Sequence, residues 1–329
     1  MTWLVTGGAG FIGAHVVHAL HAAGEQVVVL DDLSTGVSAR LDGLDEVPVV
    51  RGTVHASSLV AKLLREYEIA GVIHVAAKKQ PAESVEKPLL YYRENLGGLE
   101  CVLRAMTEVG VDALVYSSSA AVYGNQDVDM LTEDTPCRPE NPYGETKLAG
   151  EWLVAATARV TGLRYANLRY FNAAGTARPE FADTGAFNLI PIVFGRLTAG
   201  KPPQLYGDDY PTPDGTTIRD YIHVSDIASA HVAAARHLRD GNDARITLNV
   251  GTGRGSSTRE IVETILEVSG HADLSPEVLD RRPGDPAVSI ASVDRIHEIL
   301  GWSAAHDRRA IVAAAWEGWL HHGSGGEHG

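Results

Sequence analysis

The sequence predicts an α/β protein, a doubly wound parallel sheet followed by a smaller α/β C-terminal substrate lobe. Three observations predict it. Short apolar runs alternate with helical patterns through the first half of the chain. A glycine-rich turn joins the first run to the first helix. After about Asn172 the loops lengthen, and glycine and proline become denser.

Taken in order, WLVT, QVVVL, VPVV, GVIHVA and ALVYSS read as buried strands. Between them FIGAHVVHALHAAG, SLVAKLLREYE and NLGGLECVLRAMTEVG have helical periodicity. YGETKLAGEWLVAATARVTG adds a helix and RYANLRY a sixth strand. Further on, DIASAHVAAARHL and TREIVETILEVSG read as helices and RITLNVG as a strand. The expected division is 1–172 as a nucleotide-binding domain, 173–320 as mainly a substrate lobe, and 321–329 as a frayed glycine-rich tail. Residues 216–250 are expected to return to the first domain. No internal repeat is visible.

Bulk properties narrow the function. The chain has 329 residues and a formal net charge of -14, which argues against binding nucleic acid through its phosphate backbone. No apolar run is long enough to span a membrane. The start, MTWLVTGGAG, lacks the basic region of a signal peptide. Two cysteines, Cys101 and Cys137, are too few for a disulfide framework, so a cytoplasmic location is expected. His15, His18 and His21 share helical spacing, but no cysteine or carboxylate cluster joins them, and no metal is expected.

TGGAGFIG carries the first chemistry. Gly8, Gly10 and Gly13 satisfy G-x-G-x-x-G, and Gly7, Gly10 and Gly13 satisfy G-x-x-G-x-x-G. Glycine at these positions permits the turn and lets a pyrophosphate approach the amides of the helix N-terminus. The motif follows a strand and opens a helix, which makes it a Rossmann-type dinucleotide fingerprint. Eighteen residues past Gly13 the second strand ends in Asp31 and Asp32. A carboxylate there binds a ribose diol and repels a 2′-phosphate, so NAD is expected over NADP.

NPYGETK carries the second. Tyr143 and Lys147 lie at i and i+4 and share a helix face. VYSSSAAVYG places Ser117, Ser118 and Ser119 at the carboxyl end of a strand, where open α/β sheets bind ligands. A phenol has a reference pKa of about 10 and needs nearby cations to act as a base. Lys147 supplies one and an oxidised nicotinamide a second. Ser119 is placed to hydrogen-bond the same substrate hydroxyl that Tyr143 deprotonates.

With these motifs assembled, the chain resembles the UDP-glucose 4-epimerases, extended short-chain dehydrogenase/reductase enzymes, over nearly all of residues 2–320. The resemblance rests on TGGAGFIG, AAKKQPAESVEKPLLYYRENLGG, YSSSAAVYG, NPYGETK, RYFNAAG, YPTPDGTTIRDYIHVSDIA and RRPGDPA. It implies tightly held NAD, a UDP-hexose substrate and a homodimer. It implies that Ser119, Tyr143 and Lys147 are catalytic. Gly7, Gly10, Phe11, Ile12, Gly13, Asp31, Asp32, Thr53, Val54, Val75, Ala76, Ala77, Lys79, Asn95, Ser119, Tyr143, Lys147 and Phe171 would then line the cofactor. Lys79, Ser119, Tyr143, Asn172, Asn188, Leu189, Leu205, Tyr206, Arg219, Tyr221, Arg282, Asp285 and Ser289 would hold the nucleotide sugar. A UDP diphosphate needs fixed cations, and a guanidinium donates parallel bonds, which suits Arg219 and Arg282.

The chain departs from the family pattern at Thr53, where an aspartate is frequent, at Ala77, where glycine is, and at Ala121, where threonine is. Ser289 aligns with a position whose bulk limits N-acetylhexosamines in the family, so room for them is expected. The expected reaction interconverts UDP-glucose and UDP-galactose through a 4-keto sugar. A 4-epimerase of UDP-GlcNAc/GalNAc, a UDP-uronate or a UDP-pentose stays open. A dehydratase would need an acid and a base where Ala120 and Ala121 stand, a decarboxylase is disfavoured, and a non-catalytic NAD sensor would not need Tyr143 and Lys147.

Overall fold

The computed structural model describes residues 1–183, 185, 188–241, 245–282 and 284–324. β1 (Thr2–Thr6), α1 (Phe11–Ala22), β2 (Gln26–Asp31), β3 (Val49–Arg51), α2 (Ser57–Glu66) and β4 (Gly71–His74) open the chain. α3 (Pro81–Glu86) and α4 (Pro88–Tyr91) lead through a π-helical turn (Tyr92–Gly97) into α5 (Gly98–Val109). β5 (Ala113–Ser119), α6 (Pro142–Thr161) and β6 (Arg164–Tyr170) follow. Beyond them come β7 (Asn172–Ala174), α7 (Leu189–Thr198), β8 (Gln204–Tyr206), β9 (Ile218–His223), α8 (Val224–Arg239) and β10 (Arg245–Val250). β11 (Gly255–Ser257), α9 (Thr258–Ser269), β12 (Glu277–Leu279), β13 (Val288–Ser289), α10 (Asp294–Leu300) and α11 (Arg308–Ser324) complete it.

The main sheet has seven strands in the order β3-β2-β1-β4-β5-β6-β10, every pairing parallel. Strand alternation explains its two cores. Trp3 and Val5 pack with α1 and α8 on one face, while Leu4 packs with α2, α5 and α6 on the other. α8 and β10 thus join this sheet from late in the chain, because β10 pairs with β6 along its whole length.

The second lobe has a small mixed sheet, β11-β9-β13 with β7 beside β9, and a separate β8–β12 pair. Its core lies between α7, α9 and α11, around Phe194, Leu205, Ile265 and Val312. Asp220 on β9 is fully buried and fastens the lobe to the main sheet. Its carboxylate accepts bonds from Thr252 N at 2.9 Å, Thr252 Oγ1 at 2.7 Å, Gly253 N at 3.0 Å and Ala291 N at 3.3 Å.

Several details depart from the expectations. The helix expected from Asn95 begins as the π-helical turn, and the strand expected at 47–50 is displaced to Val49–Arg51. α11 runs to Ser324, so Leu320–Ser324 is helical, while 325–329 lie outside the described residues. Its apolar residues alternate with alanine and glycine, which blurs the helical period in sequence. The three-residue strands of the second lobe carry too few residues for a period-two pattern to register.

α6 sits unusually close to β5. A Cβ on Gly150 would lie 2.2 Å from Tyr116 Oη and 2.7 Å from Cζ. Alanine is the better helix former, yet Gly150→Ala is expected to destabilise the protein by about 1–3 kcal/mol, because the ring is held inside a packed core. Thermal unfolding checks this; an unchanged or raised Tm would mean the helix shifts without strain.

Candidate active site

The turn between β1 and α1 is shaped for an anion. Gly7 has φ of 72° and donates to Leu30 O at 2.8 Å. A Cβ on Gly13 would lie 2.0 Å from Gly7 O, so only glycine lets helix and strand approach this closely. Gly10 caps α1 without a side-chain bond, leaving the first amides of the helix facing the cleft. At the end of β2, Asp31 accepts from Ala9 N at 2.9 Å and Leu33 N at 2.8 Å. These amides orient the carboxylate, which retains lone pairs for a ribose diol. Asp32 is exposed and accepts from Ser34 N. Burial pushes its pKa up, but the Ser34 bonds outweigh this and hold it below the ordinary value.

Glycine turn, carboxylate and β5 end all open into one cleft of about 980 Å3. That is the upper range for ligand pockets and suits two nucleotides placed end to end. Apart from Asn95, every residue expected at the cofactor lines it: Gly7, Gly10–Gly13, Asp31, Asp32, Thr53, Val54, Val75–Ala77, Lys79, Ser119, Tyr143, Lys147 and Phe171. Asn172, Asn188, Leu189, Arg219, Tyr221, Asp285 and Ser289 line its other end. The glycine cradle and the paired amides on Asp31 fit a dinucleotide.

Four expected residues lie elsewhere. Asn95 is buried behind the wall, where its amide bonds Lys78 N at 2.7 Å, Lys78 O at 3.1 Å and Thr146 Oγ1 at 3.0 Å. It holds the loop after β4 against α6. Leu205 is fully buried in the second core. The Arg282 guanidinium stacks over the Tyr206 ring at 3.9 Å, and neither side chain reaches the cleft. Of the two expected arginines, Arg219 is the one in position. It donates to Asp285 Oδ1 at 3.1 Å, and Lys79 Nζ pairs with Asp183 Oδ2 at 3.1 Å.

The reactive groups meet where α6 passes the end of β5. Asn141 caps α6 by accepting from Gly144 N at 2.9 Å, and Pro142 begins the helix. Tyr143 is buried and lines the cleft together with Ser119. Lys147 Nζ donates to Ser117 O at 2.7 Å and lies 6.0 Å from the Tyr143 ring centroid. Burial lowers the Lys147 pKa to about 8, against an opposing pull from Glu151. Burial raises that of Tyr143, and the Ser119 hydroxyl only partly offsets this. The expectation that Lys147 depresses the phenol therefore fails for the protein's own groups, because desolvation dominates.

Sequence reasoning missed Tyr170, which lines the cleft, and the loop Ser34–Val37 that borders Asp31. RYFNAAG already contained Tyr170, but nothing in its spacing set it apart from a core aromatic. His15 and His18 are held by backbone groups; His18 Nε2 donates to Arg40 O at 2.9 Å. His15 Nδ1 donates to Phe11 O at 2.7 Å, and Nε2 accepts from Ala177 N at 3.0 Å.

This fold and site define a nicotinamide-dinucleotide enzyme of the short-chain dehydrogenase/reductase type. Residues 3–251 match the model of the NAD dependent epimerase/dehydratase family. The chain is 45% identical over 321 residues to UDP-glucose 4-epimerase of Azospirillum brasilense, covering 95% of this chain and 91% of that protein. A crystal structure of UDP-glucose-4-epimerase from Stenotrophomonas maltophila with bound NAD and formylated UDP-arabinopyranose superposes with a TM-score of 0.92. It shares 39% identity, with 98% of this chain and 99% of that one covered. The NAD complex of the Brucella ovis UDP-glucose 4-epimerase gives a TM-score of 0.90 at 39% identity, over 97% and 98% of the two chains. The chain belongs to the UDP-glucose 4-epimerase family, and its cofactor is NAD. No helix among the described residues is long and apolar enough to cross a membrane.

The depressed Lys147 pKa has a stability consequence. Between pH 8 and the unfolded value of 10.5, the unfolded chain holds a proton that the folded one has lost. Stability from this group is therefore lowest below pH 8 and rises through that window. Comparing wild type with Lys147→Met by denaturant unfolding of cofactor-stripped protein, the wild type should gain up to about 3 kcal/mol relative to the variant from pH 8 to 10.5. A pH-independent difference would mean Lys147 titrates normally.

Proposed function

We propose that the protein interconverts UDP-glucose and UDP-galactose by inverting C4 through a 4-keto sugar. The observation that carries this reading is the Ser119–Tyr143–Lys147 group at the middle of a cleft with a dinucleotide cradle at one end and Arg219 at the other. NAD held by the Gly7–Gly13 turn and Asp31 would supply the hydride acceptor for C4 and would be regenerated over a turnover. Tyr143 takes the proton of the 4-hydroxyl and later gives it back, and Ser119 hydrogen-bonds the same oxygen. The Lys147 charge stabilises the phenolate that the protein's own interior disfavours. Arg219 holds the diphosphate through charge-assisted bonds, so binding energy resides in the part that does not react. With the UDP end anchored, the keto sugar turns over and presents its opposite face.

Ala120 and Ala121 favour inversion over dehydration. Both line the cleft beside Ser119, and neither can move a proton at C5 or C6. A second reading rests on Ser289, which lines the cleft and is half-buried. Its small side chain leaves room for an N-acetyl group, so UDP-GlcNAc and UDP-GalNAc are proposed as additional substrates.

Purified protein incubated with UDP-galactose, UDP-GalNAc and UDP-galacturonate, without added NAD, should convert the first two. A 4-keto-6-deoxy product would overturn the epimerase reading, and inert UDP-GalNAc would remove the second. Tyr143→Phe should keep NAD and lose about 10²–10⁴-fold in kcat, the usual range for removing a general base. Full turnover in that variant would remove Tyr143 as the base, and a wild type that keeps NAD but turns over none of these sugars would point to a protein that merely senses NAD.

We also propose a homodimer in the cytoplasm. On the adjacent α4, π-helical turn and α6, Leu89 is 85% exposed, Trp152 65% and Val160 83%, an apolar surface that a second copy would cover. Sedimentation of Trp152→Glu should give a lighter species than wild type. A wild-type monomer would overturn the dimer, and an unaltered dimer in the variant would place the contact elsewhere.

A further inference from the structure

Three consecutive serines end β5, and the structure uses each differently. Ser117 offers its carbonyl oxygen to Lys147 Nζ at 2.7 Å. Ser119 lines the cleft with Tyr143 and accepts from Ala121 N at 3.2 Å. Ser118 is fully buried and donates to Glu151 Oε1 at 2.5 Å. Glu151 stands one helical turn beyond Lys147 on α6 and is 5% exposed. It is clamped by Arg169 of β6, whose Nε reaches Oε1 at 2.8 Å and whose second nitrogen reaches Oε2 at 2.6 Å. Arg169 also donates to Tyr123 Oη at 3.1 Å. A buried ion pair of this kind is costly unless every lone pair is used, and replacing it with apolar residues is often neutral for stability. Its value here lies in where it sits.

We propose that Ser118, Glu151 and Arg169 form a positioning unit for the reaction, fixing the end of β5 and the Lys147 turn of α6 so that Ser117 O, Ser119 and Tyr143 keep one geometry. None of the three touches the cleft; they act through Lys147 and Ser119. Because side chains alternate across a strand, a bond to Ser118 from behind fixes the direction of Ser119 in front. Glu151 also supplies the negative charge that opposes the burial of the Lys147 ammonium. The other groups around that ammonium are His74 on β4, Tyr116 on β5, Tyr143 on α6, Tyr170 on β6 and His231 on α8, which bonds Ser117 Oγ at 3.0 Å. Burial holds His74 neutral, with a pKa near 3, and His231 neutral, with one near 4, while burial keeps the phenols protonated. Glu151 is therefore the one anion facing Lys147 among the described residues.

The reading of the reaction as C4 epimerisation underlies the kinetic arm, so a substrate-free arm accompanies it. In the purified NAD-loaded protein carrying ¹³C-labelled lysine, the Lys147 side-chain resonance is followed with pH, its assignment made by its loss in Lys147→Met. Glu151→Gln should lower the Lys147 titration by about one pH unit. The alkaline limb of UDP-galactose turnover should move by the same amount, with KM little changed. Should Glu151→Gln not fold, the charge-balanced Glu151→Gln/Arg169→Met variant is expected to show the same downward displacement. Ser118→Ala, which removes a single bond, should lower kcat severalfold with KM and the alkaline limb unmoved. A Lys147 titration that coincides with wild type in the folded Glu151 variant, or a Ser118→Ala enzyme with wild-type kcat, would overturn the proposal. Absent turnover with a shifted lysine titration would instead count against the epimerase reading alone.

Discussion

The contact between α6 and the carboxyl end of β5 is the constraint on which the rest of this site depends. A buried ammonium on one helix meets a backbone carbonyl on one strand, Lys147 to Ser117 at 2.7 Å. Close approach is possible because Gly150 leaves room for the Tyr116 ring. Asn141 and Pro142 set where the helix starts, and so which residue occupies its first turn. Tyr143 then faces the cleft, with Lys147 one turn below it. Once that helix is docked, the phenol, the serine and the cofactor cradle have little freedom left.

Burial sets the electrostatics of the same contact. Desolvation lowers the Lys147 pKa and raises that of Tyr143, so the protein interior works against the charged forms that the chemistry uses. Such a site is quiet until a cationic nicotinamide and a polar substrate enter it.

The second lobe is fastened through polar groups as much as through apolar packing. Asp220 gathers the backbone of Thr252, Gly253 and Ala291, and Ser257 and Glu260 form a capping box at the start of α9. RDYIHVSD, part of one of the stretches that carry the family resemblance, is thus partly a joint. Asp226 in the same motif bonds His306 at 2.9 Å. Arg219, between joint and cleft, is held by β9 and points at the ligand end.

By itself the sequence determined the strand–helix alternation, the glycine cradle with Asp31, and the Tyr143–Lys147 spacing, because each is a local pattern whose geometry follows from a few adjacent residues. It also placed α8 and the last strand of the main sheet, RITLNVG. Tertiary structure decided what depends on distant partners. Asn95 turned inward because Lys78 and Thr146 satisfy its amide, and Leu205 became core because α7 and α9 close over it. Arg282 lies on Tyr206 instead of in the cleft, and Ser118 found Glu151 and Arg169 from two other elements. The sign of the Tyr143 shift belongs here too. A sequence shows that a lysine stands four residues away, but only the folded chain shows how much water both groups lose.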